Sequence, residues 1–186
     1  MKLFTALALM CAPQLWLEPQ ARVNPDSALV EAFEGKVADY VKMRKAALDG
    51  LPPPARTMKH GELLREQHEI ADRIRNARPE AKQGDICSPE ISGELRRLIG
   101  LALSAGDKAR IQATIRRADA VPVQLKINGP FPDRLPQPSM PPTLLLNLPS
   151  LPPELDYRLV GRTLILRDTL AGIIVDFVPD ALPGTK

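Results

Sequence analysis

The C-terminal segment LDYRLVGRTLILRDTLAGIIVDFV, residues 155–178, combines strand-like alternation with two glycine-containing turns. Leu155, Tyr157 and Leu159 fall on one side of a pattern with period two, which is typical of a half-buried β-strand. Gly161–Arg162 predicts a tight turn after this strand, and Leu170–Gly172 predicts a second one. The segment therefore predicts a three-stranded antiparallel meander, about the smallest sheet that is stable when another layer covers its apolar face.

Amphipathic helical patterns precede this sheet and could supply that layer. The first begins near the N-cap candidates Asp26 and Ser27 and ends at Gly50, which is followed by LPPP. Its apolar residues recur with the helical period at Val30, Phe33, Val37, Tyr40, Val41 and Leu48. Three further helical patterns follow: from about Met58 to Ala81, from Ser88–Pro89, and from Gly106–Asp107.

The stretch between the helices and the meander has a different composition. Alternating apolar residues predict a further strand at Val121, Val123, Leu125 and Ile127. Residues 129–153 are rich in proline and surround the apolar run TLLLNL. We interpret them as an extended strap that lies across the protein's own hydrophobic surface, anchored by Leu144, Leu145, Leu146 and Leu148. The alternative is a docking ligand for a groove in another protein.

Together these patterns predict an α+β fold, with about four N-terminal helices packed on a small C-terminal β-meander. Residues 22–120 would form the helical region, residues 121–153 the strand and the proline-rich connector, and residues 154–183 the meander. A chain of 186 residues is long enough for one domain of ordinary size. We therefore expect residues 22–183 to form a single domain.

Residues 1–21 have the pattern of a secretory signal peptide. Lys2 supplies the positive n-region, and Leu3–Met10 supplies an apolar core that is too short to span a membrane. We expect cleavage near Ala21 and a periplasmic or secreted protein; the alternative is an uncleaved apolar helix. Cys11 suggests a lipoprotein signal, but Met10 occupies the position where such signals carry a small residue.

Removal of this leader would leave Cys87 as the single cysteine, which excludes an internal disulfide. In the sequence GDICSPE we interpret Cys87 as a small apolar plug just before the third helix. The alternative is a reactive thiol activated by the N-terminus of that helix.

The charge pattern does not favour nucleic acid as a partner. The formal net charge is +3, and acidic residues are interleaved with basic ones throughout the chain. Nucleic-acid binders usually concentrate Lys and Arg on one surface and expose aromatic rings for base stacking. Only 4% of residues here are aromatic, and most of those fall in predicted core positions.

The two histidines, His60 and His68, both fall on the second helical pattern. Eight residues of helix rise about 12 Å, whereas zinc ligands lie about 2.1 Å from the ion, so these histidines cannot share a metal unless the helix bends. His68 and Asp72 in HEIAD match the spacing of the zinc-protease HExxH motif, with aspartate replacing the second histidine. They are the candidate metal ligands. No third ligand is identifiable, and a solvated helix face explains the same residues.

Three aspartates fall on or beside the meander: Asp156, Asp168 and Asp176. Paired carboxylates could serve as acid and base in glycoside hydrolysis. Aspartates are also common at strand ends and on exposed faces, and no serine, cysteine or histidine spacing indicates a nucleophile. We therefore predict neither catalytic residues nor a cofactor, and a hydrolase that uses acidic residues is an alternative.

The segments AFEGKVADYVKMRKAAL, AKQGDI and PPTLLLNLPSLPPELDYRLVGRTLILRDTLAGIIVDFVPDALP resemble a family of uncharacterised bacterial secreted proteins with signal peptides. This resemblance covers nearly all of the mature chain and implies export without an assigned activity. Residues 152–178 are also similar to the periplasmic nickel/cobalt-homeostasis accessory family. The leading hypothesis is a non-enzymatic binding or structural protein whose partner is an envelope protein or ligand. The alternative that the second resemblance implies is a periplasmic metal-homeostasis accessory.

Overall fold

The computed structural model describes residues 25–52, 60–105, 124–132 and 140–182. Its helices and strands follow one another along the chain as α1 (Pro25–Ala47), α2 (His60–Ala77), α3 (Pro89–Ala105), α4 (Pro142–Leu145), β1 (Leu155–Val160), β2 (Thr163–Asp168) and β3 (Ile173–Val178). The predicted α+β class is confirmed, because these helices pack with a C-terminal antiparallel sheet. In the part of the chain described, none of the helices is both long and apolar enough to cross a membrane.

The three strands form the predicted meander, with β2 in the centre of the sheet. Val160 pairs with Thr163, so the two residues Gly161–Arg162 alone connect β1 to β2. Gly161 has a φ of 56°, a left-handed conformation that suits glycine in such a turn. A register shift between Leu166 and Arg167 marks a bulge where β2 pairs with β3.

The main hydrophobic core lies between the helices and one face of the sheet. α1 contacts both α2 and α3, and its predicted apolar stripe buries Phe33, Val37 and Tyr40. The strands contribute alternating buried side chains to the same core: Leu155, Tyr157, Leu159, Leu164, Leu166, Ile173 and Val175. Sequence periodicity thus identified the buried faces of α1 and β1 correctly.

A smaller second core covers the opposite face of the sheet. Phe131, Ile165 and Ile174 are buried there, and Leu125 and Ile127 pack against them. The segment 124–132 therefore forms a layer on the face that the helices leave open.

The strand predicted at residues 121–127 is not formed where the structure describes it, from residue 124 onward. The chain instead pairs with β3 slightly later, through Asn128 N–H to the Ile174 carbonyl at 2.8 Å and Ile174 N–H to the Gly129 carbonyl at 2.9 Å. Asn128 has a φ of 61°, and this turn brings the following residues onto β3. Leu125 and Ile127 then serve as apolar cover rather than as one side of a strand. Residues 121–123 lie outside the described residues.

The boundaries of α1 and α2 differ from the sequence patterns. α1 begins at Pro25 and ends at Ala47, so the N-cap candidates Asp26 and Ser27 lie inside the helix. α2 ends at Ala77 rather than near Ala81, because Pro79 disfavours a helical conformation for Arg78. α3 begins at Pro89 as predicted, and Ser88 Oγ accepts a hydrogen bond from Ile91 N–H at 3.4 Å. The fourth helix, predicted from Gly106–Asp107, lies outside the described residues.

The proline-rich strap is described over residues 129–132 and 140–153. Part of it forms the one-turn helix α4 rather than an extended path, because Pro142 suits the first position of a helix. Leu144 and Leu148 are buried, as predicted, on the side that α4 turns towards the core. Leu145 and Leu146 were wrongly predicted as anchors: they are 45% and 84% exposed, because one helical turn directs them away from that core.

Candidate functional site

Asp168 ends β2 as a fully buried carboxylate, with no exposed surface. Its Oδ2 accepts hydrogen bonds from Tyr40 Oη at 3.0 Å and from Arg44 Nε at 2.6 Å. Its Oδ1 accepts from the N–H groups of Leu170 at 3.1 Å and Ala171 at 2.8 Å. This carboxylate therefore fastens the β2–β3 turn to α1, and both of its oxygens accept hydrogen bonds from the protein itself.

Asp176 of β3 is also fully buried. Its Oδ2 accepts from the N–H groups of Ile86 at 2.9 Å and Cys87 at 2.8 Å, and its Oδ1 accepts from Gly84 N–H at 3.0 Å and Phe177 N–H at 2.8 Å. Successive amides that point into one concavity are a common way to bind an anion. Here the protein's own carboxylate occupies that concavity and ties the loop between α2 and α3 to the sheet.

Cys87 lies in this same loop and is 5% exposed. Burial, followed by the negative charge of Asp176, raises the pKa of the Cys87 thiol. A raised pKa disfavours the thiolate, which is the reactive form. The interpretation of Cys87 as an apolar plug is confirmed, and the environment is the opposite of the one that an activated thiol needs.

Tyr40 and Arg78 extend the network beneath the helices. Burial, and then the charge of Asp168, raises the pKa of the Tyr40 hydroxyl, so this group stays protonated and donates. The Arg78 guanidinium lies 5.3 Å from the centre of the Tyr40 ring, and its Nη2 donates to the Val175 carbonyl at 3.2 Å. Burial lowers the pKa of Arg78. These contacts hold α1, α2 and β3 together.

Asp156 is the third aspartate of the meander and is partly exposed. Its Oδ1 accepts from Arg167 Nε at 3.0 Å, and its Oδ2 accepts from Arg158 Nε at 2.9 Å. Asp168 and Asp176 are bonded to different loops, and none of the three aspartates lines either groove described below. Asp168 pairs with Leu155 whereas Asp156 pairs with Arg167, so Asp156 and Asp168 lie on opposite faces of the sheet.

The candidate metal ligands lie on the outer side of α2. His68 and Asp72 are both exposed, and Asp72 Oδ1 accepts a hydrogen bond from Arg75 Nη1 at 2.7 Å. His60 begins α2, and its side chain lies outside the described residues. Across residues 25–52, 60–105, 124–132 and 140–182, no group of three or more His, Cys, Asp or Glu side chains is arranged to hold a metal ion.

Two adjoining grooves lie between α1 and residues 150–154, and together we term them the α1 groove. One part has a volume of about 450 Å³ and is lined by Glu34, Val37, Ala38, Val41, Lys42, Lys45, Ser150 and Pro152. The other has a volume of about 510 Å³ and is lined by Val41, Arg44, Lys45, Leu48, Asp49, Gly50, Leu51 and Glu154. Val41 and Lys45 line both parts, so the two parts adjoin. Sequence analysis missed this surface, which pairs residues more than a hundred positions apart.

The α1 groove combines apolar contact area with charged residues of both signs, including Asp49 and Glu154 in its second part. Its first part is mostly apolar, and its charged residues are Glu34, Lys42 and Lys45. His68 and Cys87 do not line it. Comparison of the chain with protein-family models, with curated proteins and with solved structures gave no match.

Proposed function

We propose that the protein is an exported, non-enzymatic component of the bacterial envelope that acts by binding or structural support. Export is inferred from the leader pattern of residues 1–21. The observation that carries the non-enzymatic part is the use of the buried polar groups: Asp168 and Asp176 are bonded to main-chain amides, and Cys87 is buried with a raised thiol pKa. Groups with this chemistry serve catalysis only where a substrate can reach them.

The binding partner that best fits the α1 groove is an extended, mainly apolar segment that carries an acidic group. Val37, Val41 and Pro152 supply apolar contact area, and Lys42 and Lys45 outnumber the single Glu34 in the same part of the groove. Charge complementarity of this kind improves specificity and the rate of association more than it improves affinity. An envelope protein with such a segment is therefore the proposed partner.

Activity assays test the non-enzymatic part of the proposal. The mature protein should give no saturable turnover with a panel of glycoside, ester, peptide and phosphoester substrates, because Asp168 and Asp176 are buried and bonded to main-chain amides. The same panel with heat-denatured protein provides the background rate. Saturable turnover above that background, abolished by substitution of Asp156, Asp168 or Asp176, would support the hydrolase alternative instead.

Partner capture with matched variants tests the binding part. Ala38 is exposed and lines the α1 groove, so Ala38→Glu should introduce an acidic group that opposes the proposed partner. Ala32→Glu is the control, because Ala32 is exposed on α1 but does not line the groove, and each new glutamate would have a lysine four residues later. We expect Ala38→Glu to weaken recovery of a bound envelope protein about tenfold or more. Equal recovery with both variants would remove the α1 groove as the binding surface.

Metal titration addresses the metal-homeostasis alternative. Calorimetry with nickel, cobalt, copper and zinc should give a flat response down to micromolar metal, since His68 and Asp72 are exposed and Asp72 is already bonded to Arg75. A saturable signal that disappears in His68→Ala would instead favour the metal-homeostasis alternative.

A further inference from the structure

β1 is an outer strand of the sheet, and alternate residues direct their main-chain groups away from β2. Val160 and Thr163 flank a two-residue turn, and residues in that position form a hydrogen-bonded pair. The N–H and C=O groups of the even-numbered residues of β1 therefore point towards β2. The bond from Thr169 N–H to the Glu154 carbonyl, at 2.9 Å, continues the same alternation. The main-chain groups of Leu155, Tyr157 and Leu159 therefore point outward from the sheet.

Most of these outward groups have no hydrogen-bond partner among the described residues. Leu155 N–H donates to the Pro152 carbonyl at 3.0 Å. The C=O of Leu155 and both main-chain groups of Tyr157 and of Leu159 receive no such contact from residues 25–52, 60–105, 124–132 or 140–182. A row of unpaired main-chain groups is a template for another strand.

The side chains beside this edge have opposite charges and share one face of the sheet. Asp156 and Arg158 alternate with the buried residues of β1, and their side chains are 27% and 35% exposed. Charged side chains are one of the ways in which proteins protect an edge strand from pairing, most effectively where like charges would come to lie opposite each other. Asp156 accepts hydrogen bonds from Arg158 and Arg167 within the chain, and the pair of opposite charges at Asp156 and Arg158 is complementary to a second copy of itself.

We propose that β1 pairs antiparallel with β1 of a second copy of this chain, in the register that sets Tyr157 opposite Tyr157. Two hydrogen bonds then join the Tyr157 residues, and Leu159 N–H donates to the Leu155 carbonyl in each direction. Leu155 N–H keeps its bond to Pro152. Asp156 of each copy lies opposite Arg158 of the other, at a non-hydrogen-bonded position where cross-strand side chains approach most closely.

The charges select this register over its neighbours. A shift of two residues in one direction places Asp156 opposite Asp156, and a shift in the other direction places Arg158 opposite Arg158. Like charges directly opposite each other destabilise a strand pair. A shift of one residue would place the free main-chain groups of one copy opposite residues whose main-chain groups already bond to β2 in the other copy. It would also place the buried face of one strand beside the charged face of the other. The contact is short compared with a standard interface, so the dimer depends on protein concentration.

Sedimentation velocity over a range of concentrations tests the proposal with a matched pair of charge reversals. Wild-type protein should pass from monomer to dimer as its concentration rises, and Arg158→Glu should raise the concentration of half-dimerisation about tenfold or more. Arg65→Glu is the control, because Arg65 is exposed on α2 far from β1 in sequence and the change in charge is the same. The proposal would be overturned if the wild-type protein stayed monomeric, or if Arg158→Glu left the concentration of half-dimerisation unchanged. It would also be overturned if Arg65→Glu raised that concentration as much as Arg158→Glu does.

Amide hydrogen exchange of the wild-type protein provides a test that needs no variant to fold. Tyr157 and Leu159 N–H should exchange more slowly at high than at low protein concentration. Arg158 N–H faces β2 in both states and should change much less. Equal exchange of Tyr157 and Leu159 at the two concentrations would also overturn the proposal.

Discussion

The buried carboxylate of Asp168 accepts hydrogen bonds from main-chain amides as well as from side chains. Asp168 accepts from the N–H groups of Leu170 and Ala171 in addition to Tyr40 and Arg44. Such bonds to an ionised oxygen are shorter and stronger than bonds between neutral groups. A residue that keeps the shape but lacks the charge and the second acceptor oxygen cannot replace Asp168 in this role.

Asp168→Asn should lower the free energy of unfolding by about 2–4 kcal/mol, because buried donors lose an ionised acceptor and Arg44 loses its partner. Urea unfolding followed by circular dichroism measures the change. Asp72→Asn is the control on the exposed side of α2 and should alter stability by less than about 0.5 kcal/mol. An Asp168→Asn protein as stable as the wild type would show that these bonds contribute little.

Cys87 should resist alkylation in the folded protein. Its thiol pKa is raised by burial and by the charge of Asp176, so at pH 8 the folded protein holds very little thiolate. We expect slow labelling by iodoacetamide in buffer and rapid labelling in urea, read by mass spectrometry of the peptide that contains Cys87. Labelling that is equally rapid in both conditions would contradict the burial described for this residue.

At the scale of helices and strands, sequence patterns predicted the elements that depend on interactions between residues close together in the chain. The meander was predictable because alternation and turn glycines act within a few residues, and α1 was predictable from its apolar period. The strand near Leu125 was misplaced because its pairing depends on β3, far away in sequence. The roles of Asp168 and Asp176 were not predictable either. The Cys87 amide that Asp176 binds lies 89 residues away, and no short motif records such a contact.

The turn of chain that follows the one-turn helix α4 offers a test at this scale. Leu148→Ala should lower the free energy of unfolding by about 2–5 kcal/mol, because Leu148 is buried against the main core. Leu146→Ala is the matched control, because Leu146 is 84% exposed to solvent. It should change the free energy of unfolding by less than about 0.5 kcal/mol. Thermal unfolding of both variants distinguishes them. Equal unfolding temperatures of Leu148→Ala and Leu146→Ala would mean that this segment does not pack on the core as described.

At the scale of the whole molecule, the residues that the structure describes form three layers: helices, sheet and the segment 124–132. Asp168 joins the helical layer to the sheet, and Asp176 joins the loop between α2 and α3 to the same sheet. Arg75 Nε donates to the Asn128 carbonyl at 2.9 Å and links the helices to the third layer. In other proteins, buried carboxylates and arginines often take part in catalysis. In this protein they connect the layers of the fold, which is why we propose binding rather than catalysis.

Amide hydrogen exchange in the loop between α2 and α3 tests this account most directly. If Asp176 fastens the loop, the N–H groups of Ile86 and Cys87 should exchange at least about a hundredfold more slowly than exposed loop amides, and Asp176→Asn should remove that protection. Rapid exchange of both amides in the wild-type protein would mean that the carboxylate is not engaged by the loop, and the assignment of the buried aspartates to the fold would be contradicted.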